Sequence, residues 1–190
     1  MKIHHSLEEL PPFRNPIVTV GVFDGVHLGH LQVINQLLEY AKRYDGESIL
    51  VTFNPHPQEV LHPHSNFFLI QTIEERVELL SKTGIDHLII LPFTVEFSKL
   101  SYDAFLTQVI IHTLGAKAIV MGPNHSFGKN REGNFQNIKD LCLKCDIEVV
   151  EIPEYISHDI AVRSSKIRHY IADGAYESAE ELLGHPLKIR

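Results

Sequence analysis

The segment Gly21–His30, GVFDGVHLGH, combines two histidines, His27 and His30, with three glycines. It overlaps the apolar run Ile17–Phe23, which is predicted to be a buried strand, and it leads through a glycine turn into a predicted helix start. Glycines let the backbone approach a ligand closely, and the free N–H groups at a helix start attract an anion. Neutral imidazoles placed there donate hydrogen bonds to phosphate oxygens whose charge grows in a transition state. The spacing therefore favours a phosphate site, with a glycine turn and two incidental histidines as the alternative.

A second candidate segment, Asn54–Pro57 (NPHP), follows the predicted strand Ser48–Phe53. Its prolines fix the backbone and prevent a helix from starting there. A rigid loop that presents the His56 imidazole suits an aromatic or phosphorylated ligand, and a plain strand-exit turn is the alternative.

The third segment is a glycine-rich loop, GPNHSFGKNREG, between Gly122 and Gly133. It carries polar groups on Asn124, Ser126 and Lys129, with Phe127 among them. Such a loop can wrap a planar ligand, to which Phe127 would offer an apolar face. The alternative is a mobile surface hairpin.

The fourth segment places Ser164, Ser165 and Arg168 at the start of a predicted helix that runs to about Asp173. Ser164 is the expected cap, and hydroxyls beside free N–H groups make a phosphate site. Arg168 falls one turn later, where its forked guanidinium can grip a β- or γ-phosphate. The alternative is a simple cap beside a solvated arginine.

Apolar strands alternate with helical patterns along the whole chain, which predicts βαβ units and a parallel sheet covered on both faces. We therefore predict an α/β fold, a doubly wound parallel sheet with a small loop or hairpin subdomain. Ligands of such sheets bind at the carboxyl ends of the strands, where the four segments can converge. Further strands are predicted at His87–Pro92, Lys117–Gly122 and Ile147–Ile152, and helices at Leu31–Tyr44, Thr72–Lys82, Ser101–Leu114 and Phe135–Cys145.

The composition excludes several classes of protein. A chain of 190 residues that is 44% hydrophobic and 22% charged is typical of one ordinary globular domain. Its net charge of −7 argues against a general nucleic-acid or anionic-membrane surface. No run is long and apolar enough for a signal peptide or a membrane span. We expect a cytoplasmic protein with neither nucleic-acid nor membrane partners.

Two weaker metal signals are also present. Cys142 and Cys145 form a lone CxxC in a predicted helix, where a zinc site would need two further ligands. We expect ordinary reduced cysteines. His62 and His64 flank Pro63 in a polar loop, and solvated loop residues are the expected interpretation there.

The four segments resemble, in the same order, the motifs of one family. GVFDGVHLGH is similar to the HxGH signature of the nucleotidyltransferase superfamily. It is closer still to the N-terminal, FMN-adenylylating domain of the bacterial bifunctional riboflavin kinase/FMN adenylyltransferases. Thr52–Pro57 (TFNPHP) resembles that family's TFxPHP segment, Gly122–Gly133 its G-x-[DN]-x-x-FG loop, and Ser164–Arg168 (SSKIR) its SSxIR motif. The resemblance covers nearly the whole chain, and four ordered matches are far more specific than one.

The resemblance implies a Rossmann-like fold and the reaction ATP + FMN → FAD + pyrophosphate. The residues that it assigns to catalysis are His27, His30, Ser164 and Arg168. Those assigned to ATP are Gly21, Phe23, Asp24, Gly25, His27, Gly29, His30, Ser164, Ser165 and Arg168. Those assigned to the flavin are His56, Pro57, Asn124 and Phe127. A Mg²⁺ ion would be held mainly by phosphates, with Asn124 as the best protein candidate, and Asp24 is expected to fix the turn rather than act as a base.

Family members usually continue into a riboflavin kinase domain, and this chain stops at LLGHPLKIR, about where that domain would begin. We therefore expect residues 1–190 to form an FMN adenylyltransferase domain that does not phosphorylate riboflavin. Whether a longer parent chain carries the kinase domain covalently is left open. Two alternatives remain: transfer to another acceptor, such as pantetheine phosphate, nicotinamide mononucleotide or a cytidylyl acceptor, and a non-catalytic nucleotide- or flavin-binding module.

Overall fold

The computed structural model describes residues 1–123, 128–129 and 132–188. Within them, six parallel strands form one sheet, across which the first, fourth, third, second, fifth and sixth strands of the chain follow one another in that order. Every residue of the four inner strands is buried. Continuous apolar runs are what strands covered on both faces require, and the predicted parallel α/β sheet is confirmed. The strands are β1 Lys2–His4, β2 Ile17–Val20, β3 Ser48–Phe53, β4 His87–Leu91, β5 Ala118–Met121 and β6 Glu148–Glu151.

Helices cover both faces of the sheet, because alternate strand residues point to opposite sides. Ile49 and Val51 pack in one core cluster with the helices Tyr102–Phe105 and Phe135–Leu143. Leu50 packs in a second cluster with the helices Leu28–Arg43 and Ile73–Ser81. The helices are α1 Leu28–Arg43, α2 Pro57–Leu61, α3 Ile73–Ser81, α4 Val95–Ser98, α5 Tyr102–Phe105 with its π-helical continuation Leu106–Thr113, α6 Phe135–Leu143, α7 Ser164–Ala172 and α8 Tyr176–Leu183. An antiparallel hairpin, β7 Ile156–Ser157 with β8 Ile160–Ala161, precedes α7.

The strand order reverses at β2. From β2 the chain moves outward to β3 and β4, and it then returns to pair β5 on the other side of β2. The crevice at such a reversal is the usual ligand site of an open α/β sheet. Because β2 ends at Val20, the segment Gly21–His30 begins at this crevice.

The strand predicted over Ile17–Phe23 is too long, since β2 stops at Val20. The backbone turns into the left-handed region at Phe23 (φ 54°), Gly25 (φ 92°) and Val26 (φ 37°), which no extended strand can contain. The turn costs conformational energy at Phe23 and Val26, because neither is glycine. Tertiary contacts must therefore hold it.

Helix boundaries follow the capping residues. The predicted capping box of α3 is confirmed: Thr72 Oγ1 accepts from the Glu75 N–H at 3.2 Å, and Glu75 Oε2 accepts from the Thr72 N–H at 2.9 Å. The helix predicted from Leu31 starts earlier, at Leu28, because His27 caps it.

Candidate active site

A cavity of about 1020 Å³ opens at the carboxyl ends of the inner strands. It is at the upper end of the range for small-molecule sites, roughly 300–1,000 Å³. The structure brings the first, second and fourth predicted segments together around it, with Gly122, Gly128 and Lys129 of the third. The predicted site residues in its lining are Gly21, Phe23, His27, Gly29, His30, His56, Pro57, Ser164 and Ser165.

The other predicted site residues are placed differently. Asp24, Gly25 and Arg168 are not part of the lining: Arg168 pairs with Asp24, and the Gly25 carbonyl contacts His185. Asn124 and Phe127 lie outside the described residues, so their assignments stay predictions.

His27 and His30 form a stacked pair at the start of α1. Their ring centroids are 3.5 Å apart with an interplanar angle of 14°, and Phe23 packs against His30 at 4.9 Å. His27 Nδ1 accepts a hydrogen bond from the His30 backbone N–H at 3.2 Å, so the side chain itself caps the helix. In a neutral imidazole, one nitrogen accepts and the other donates. The proton of His27 is therefore on Nε2, and no hydrogen bond of Nε2 occurs among the described residues.

Burial keeps His27 uncharged. Only 5% of its surface is exposed, and burial lowers the pKa of His27 to about 4, although Asp24 opposes the shift and Arg168 adds to it. At neutral pH the ring is thus a neutral donor beside a helix N-terminus. Such a donor can stabilise charge that develops on a phosphate oxygen.

His56, which also lines the cavity, repeats this arrangement. Its Nδ1 accepts from the Gln58 N–H at 2.9 Å, and Glu59 Oε2 accepts from the His56 N–H at 3.0 Å, so His56 caps α2. The prediction that the prolines prevent a helix from starting here is wrong, because Pro57 lies in the first turn of α2, where a proline needs no N–H partner. Burial lowers the pKa of His56 to about 4. The ring packs at 4.4 Å against Phe67, and its Nε2 carries the proton.

Asp24 holds the turn together from behind. Its Oδ1 accepts from the Gln71 N–H and its Oδ2 from the Ile70 N–H, each at 3.1 Å. Its Oδ2 also pairs with Arg168 Nη2 at 2.6 Å, and the carboxylate is only 1% exposed. These contacts favour the expected structural role over that of a base.

Ser164 and Arg168 also reach the turn from behind. The Ser164 hydroxyl donates to the Asp24 carbonyl at 2.9 Å. The prediction that Ser164 caps α7 is wrong: Arg163 occupies the cap position, without a side-chain cap, because the serine hydroxyl is used on the turn. Arg168 Nε donates to the Phe68 carbonyl at 2.9 Å, and its guanidinium lies 4.5 Å over the Phe67 ring. Direct contact of Ser164 or Arg168 with phosphate stays a prediction.

Four consecutive carbonyl groups of the turn accept hydrogen bonds from the protein. The Phe23 carbonyl accepts from the Val26 N–H at 3.1 Å, and the Asp24 carbonyl accepts from Ser164. The Val22 carbonyl accepts from Thr52 Oγ1 at 2.9 Å and Arg76 Nη1 at 2.7 Å, and the Gly25 carbonyl contacts His185 Nε2 at 2.9 Å. Oxygen atoms that would repel a phosphate are thus held by protein donors. Sequence reasoning missed both Arg76 and His185.

Part of the cavity lining is aromatic. Four phenylalanines form it, with centroid distances of 5.5 to 5.8 Å between the contacting pairs Phe53–Phe97, Phe93–Phe97 and Phe97–Phe105, and 5.7 Å for Phe53–Phe93. Sequence reasoning did not assign these rings. The available signal was Phe53 at the end of one buried strand and Phe93 just after the next.

Residues 11–166 match the family model described as FAD synthetase. The chain belongs to the FAD synthetase family. It is 32% identical over 187 residues to a Listeria monocytogenes FAD synthetase, covering 98% of this chain and 75% of that protein. It is 30% identical over 191 residues to a bifunctional riboflavin kinase/FMN adenylyltransferase of Buchnera aphidicola subsp. Schizaphis graminum, covering 100% of this chain and 61% of that protein.

Solved structures show the same fold. A Streptococcus pneumoniae protein described as a macrolide-efflux protein has a TM-score of 0.85 at 28% identity, covering 98% of this chain and 60% of that one. A Thermus thermophilus pantothenate synthetase has a TM-score of 0.53 at 17% identity, with 96% and 82% covered, and shows the fold alone. The chain spans about three fifths of the first curated relatives it matches. Across the described residues, no helix is long and apolar enough to cross a membrane.

The FAD synthetase resemblance raises the question of magnesium. In the described part of the lining the one carboxylate is Glu154, which pairs with Arg163 at 2.5 Å. No group of three or more His, Cys, Asp or Glu side chains suited to a metal occurs among the described residues. The assignment of magnesium to the phosphates and Asn124 stays a prediction, because Asn124 lies outside the described residues. Cys142 is buried and Cys145 exposed, and both are free thiols.

Proposed function

We propose that this chain transfers the adenylyl group of ATP to FMN, producing FAD and pyrophosphate. One observation carries the proposal: the stacked histidines His27 and His30, at the start of a helix, and a group of four contacting phenylalanines line the same cavity. A flavin mononucleotide has a planar apolar ring at one end and a phosphate at the other. The cavity can therefore hold the ring among the aromatic side chains while the phosphate faces the start of α1.

The chemistry requires alignment rather than a covalent intermediate. An oxygen of the FMN phosphate attacks the α-phosphorus of ATP in line, the bond from that phosphorus to the β-phosphate oxygen breaks, and pyrophosphate leaves with the electron pair. A phosphate monoester is already an anionic nucleophile at neutral pH. The protein must hold two anions in line and stabilise the leaving charge.

His27 and His30 suit that task because of their protonation and position. His27 is neutral, and its free Nε2–H donates without adding a full charge to the buried pocket. We assign His27 and His30 to the α- and β-phosphate oxygens, together with the N–H groups of the first turn of α1. The held carbonyls of the turn keep oxygen atoms from facing the substrate.

The remaining assignments complete the two ends of the site. Ser165 lines the cavity at the start of α7, where the pyrophosphate end of ATP would lie. His56 and Pro57 line the side of the cavity that we assign to the flavin. Asn124 and Phe127 belong to the same proposal as contacts of phosphate and flavin. Magnesium would arrive with ATP, held by phosphates and water, where it neutralises charge on the polyphosphate.

The test is formation of FAD and pyrophosphate from ATP and FMN by the purified chain. Riboflavin is the matched acceptor control, because it has the same ring and no phosphate nucleophile. Pantetheine phosphate and nicotinamide mononucleotide are the competing acceptors. We expect FAD and pyrophosphate in equal amounts with FMN, and no adenylylated product with the other three acceptors.

Binding of both ATP and FMN without release of pyrophosphate would contradict the proposal and would favour a binding module. Product with another phosphorylated acceptor, and none with FMN, would support adenylyl transfer and contradict the assignment of FMN as the acceptor. Bifunctional relatives are longer chains, and the present proposal concerns adenylyl transfer only.

A further inference from the structure

Arg76 is the largest fully buried side chain among the described residues, with 0% of its surface exposed. It lies on the apolar face of α3, between Ile73, Val77 and Leu80 at helical spacing. Its Nη1 donates to the Val22 carbonyl at 2.7 Å. Within the described chain, its Nε and Nη2 have no hydrogen-bond partner. A core position that ordinarily holds an aliphatic residue is thus occupied by a cation with one hydrogen bond.

Neither neighbour of Arg76 depends on its charge. The Val22 carbonyl already accepts a hydrogen bond from Thr52 Oγ1. Asp24, the nearest buried carboxylate, is satisfied by two backbone N–H groups and by the guanidinium of Arg168. The region behind the turn therefore holds two buried or mostly buried guanidinium groups and one buried carboxylate, while the other two carboxylates that act on Arg76, those of Glu59 and Glu74, are exposed. Burying a cation in excess of its counter-ions costs free energy in the free protein.

The excess charge lies one peptide away from the cavity. Val22 and Phe23 both line the cavity, and the Val22 carbonyl points to Arg76. In a trans peptide the N–H points opposite to the carbonyl, so the Phe23 N–H points away from Arg76. A charged donor on the carbonyl polarises the peptide and strengthens its N–H as a donor.

We propose that Arg76 is a positioning residue for polyphosphate, which holds and polarises the Val22–Phe23 peptide and supplies a buried positive charge that the bound phosphates balance. The inference rests on the proposed function, since it places a nucleoside triphosphate at the start of α1. Burial lowers the pKa of Arg76, with Asp24, Glu59 and Glu74 opposing, yet arginine keeps its proton in proteins. Arg76 touches no substrate, and it acts through the turn and through its field.

The decisive pair of variants is Arg76→Lys and Arg76→Gln, because both can donate to the Val22 carbonyl and only lysine is charged. Calorimetry measures binding of ATP, and adenosine is the matched ligand without phosphates. We expect Arg76→Gln to weaken ATP binding about tenfold or more, on the scale of one charge at reduced dielectric. Adenosine binding should stay within about twofold, and Arg76→Lys should keep ATP binding within about threefold. Equal ATP affinity of the two variants, or equal losses for ATP and adenosine, would overturn the proposal.

A second measurement separates this role from simple core packing. Arg76→Met fills the site with an apolar chain of similar length, so its melting temperature should equal or exceed that of the unmodified chain. A lowered melting temperature, or a failure of Arg76→Met to fold, would overturn the proposal, because the charge would then stabilise the free protein.

Tripolyphosphate, which has no nucleoside, makes the test independent of flavin chemistry. Suppose that the chain forms no FAD, but that the unmodified protein and Arg76→Lys both bind tripolyphosphate more tightly than Arg76→Gln does. The proposed function then fails and the inference stands. If all three proteins bind tripolyphosphate equally, the inference fails whatever the reaction.

Discussion

The two ends of one sheet each carry a stacked pair of histidines, and the pairs are used in opposite ways. At the carboxyl end, the rings of His27 and His30 lie 3.5 Å apart beside the cavity. At the amino end, His4 and His87 stack at 5.3 Å, with the Phe13 ring 4.8 Å from His87. Residue type and stacking alone therefore do not separate a site from a structural contact.

Hydrogen bonding of the ring nitrogens separates the two pairs. His87 Nε2 lies 3.3 Å from Glu47 Oε1, and its Nδ1 lies 3.0 Å from His4 Nε2. The carboxylate fixes the proton of His87 on Nε2, so Nδ1 accepts from His4. Both nitrogens of His87 are thus used within the protein, whereas Nε2 of His27 has no hydrogen bond in the part of the chain that the structure describes. An unused donor in a cavity is the feature that indicates function.

The largest expected effect comes from removing that donor. His27→Asn keeps a good capping residue for α1 but removes the Nε2–H, and we expect kcat for FAD formation to fall about 100-fold or more. His87→Asn is the matched control, and its kcat should stay within about twofold. Steady-state rates at a temperature where both variants are folded test this contrast. More than a third of the kcat remaining in His27→Asn would contradict the role of the donor.

Protonation of the two capping histidines at the cavity should lower the stability of the protein at acidic pH. The pKa of both His27 and His56 is about 4 in the fold, below the ordinary 6.5, so the unfolded chain binds more protons between these values. Stability should therefore fall as pH drops from about 6.5 towards 4, by about 2 kcal/mol per histidine between pH 7 and pH 5. Urea unfolding at the two pH values measures it. His27→Asn or His56→Asn should each remove about that amount of the loss, and an unchanged loss in either variant would contradict the prediction.

His185 offers a smaller effect on the same turn. Its Nε2 contacts the Gly25 carbonyl at 2.9 Å from the end of α8, so it acts on the position of the turn rather than on the substrate. We expect His185→Leu to lower kcat about tenfold through misplacement of the phosphates. His185→Gln, which retains an N–H donor, should recover most of the rate. Equal rates for the leucine and glutamine variants would show that the hydrogen bond does not matter.

The smallest effect is predicted at the amino end. His4→Ala should lower the free energy of unfolding by about 1 kcal/mol, the value of one hydrogen bond, and leave FAD formation unchanged. The exposed neighbour His5→Ala is the control and should change neither quantity. A loss of activity in His4→Ala at full folding would show that the two ends of the sheet are coupled.

The inner strands could be predicted because the buried residues of each strand are consecutive in the sequence. β3 is Ser48–Phe53 in both prediction and structure, since a strand covered on both faces is one apolar run. The capping box at Thr72 could also be predicted, because its two residues, Thr72 and Glu75, lie three positions apart in the sequence. β1 was missed because three residues at the edge of a sheet, KIH, leave no pattern to detect.

Candidate site residues that lie within one short segment could be predicted from the sequence. Those that depend on contacts between distant segments could not. His27 and His56 were assigned from motifs of a few residues. Arg76 and His185 reach the turn through contacts that span 54 and 160 residues. Periodicity tells which face of a helix is buried, but not which backbone group that face meets. The one available signal for Arg76 was a charged residue within the apolar stripe of α3.

The hydrogen bonds that hold the turn at Asp24 and Gly25 have a consequence for the order of folding. Ser164, Arg168 and His185 bond to Asp24 and Gly25 across 140, 144 and 160 residues of chain. Closing such long loops costs entropy that only the remaining structure can repay, so these contacts form late. During synthesis, a chain that has not yet produced α7 and α8 can have most of its sheet and still lack a formed nucleotide site. Binding of ATP would then report completion of the fold, rather than assist its early steps.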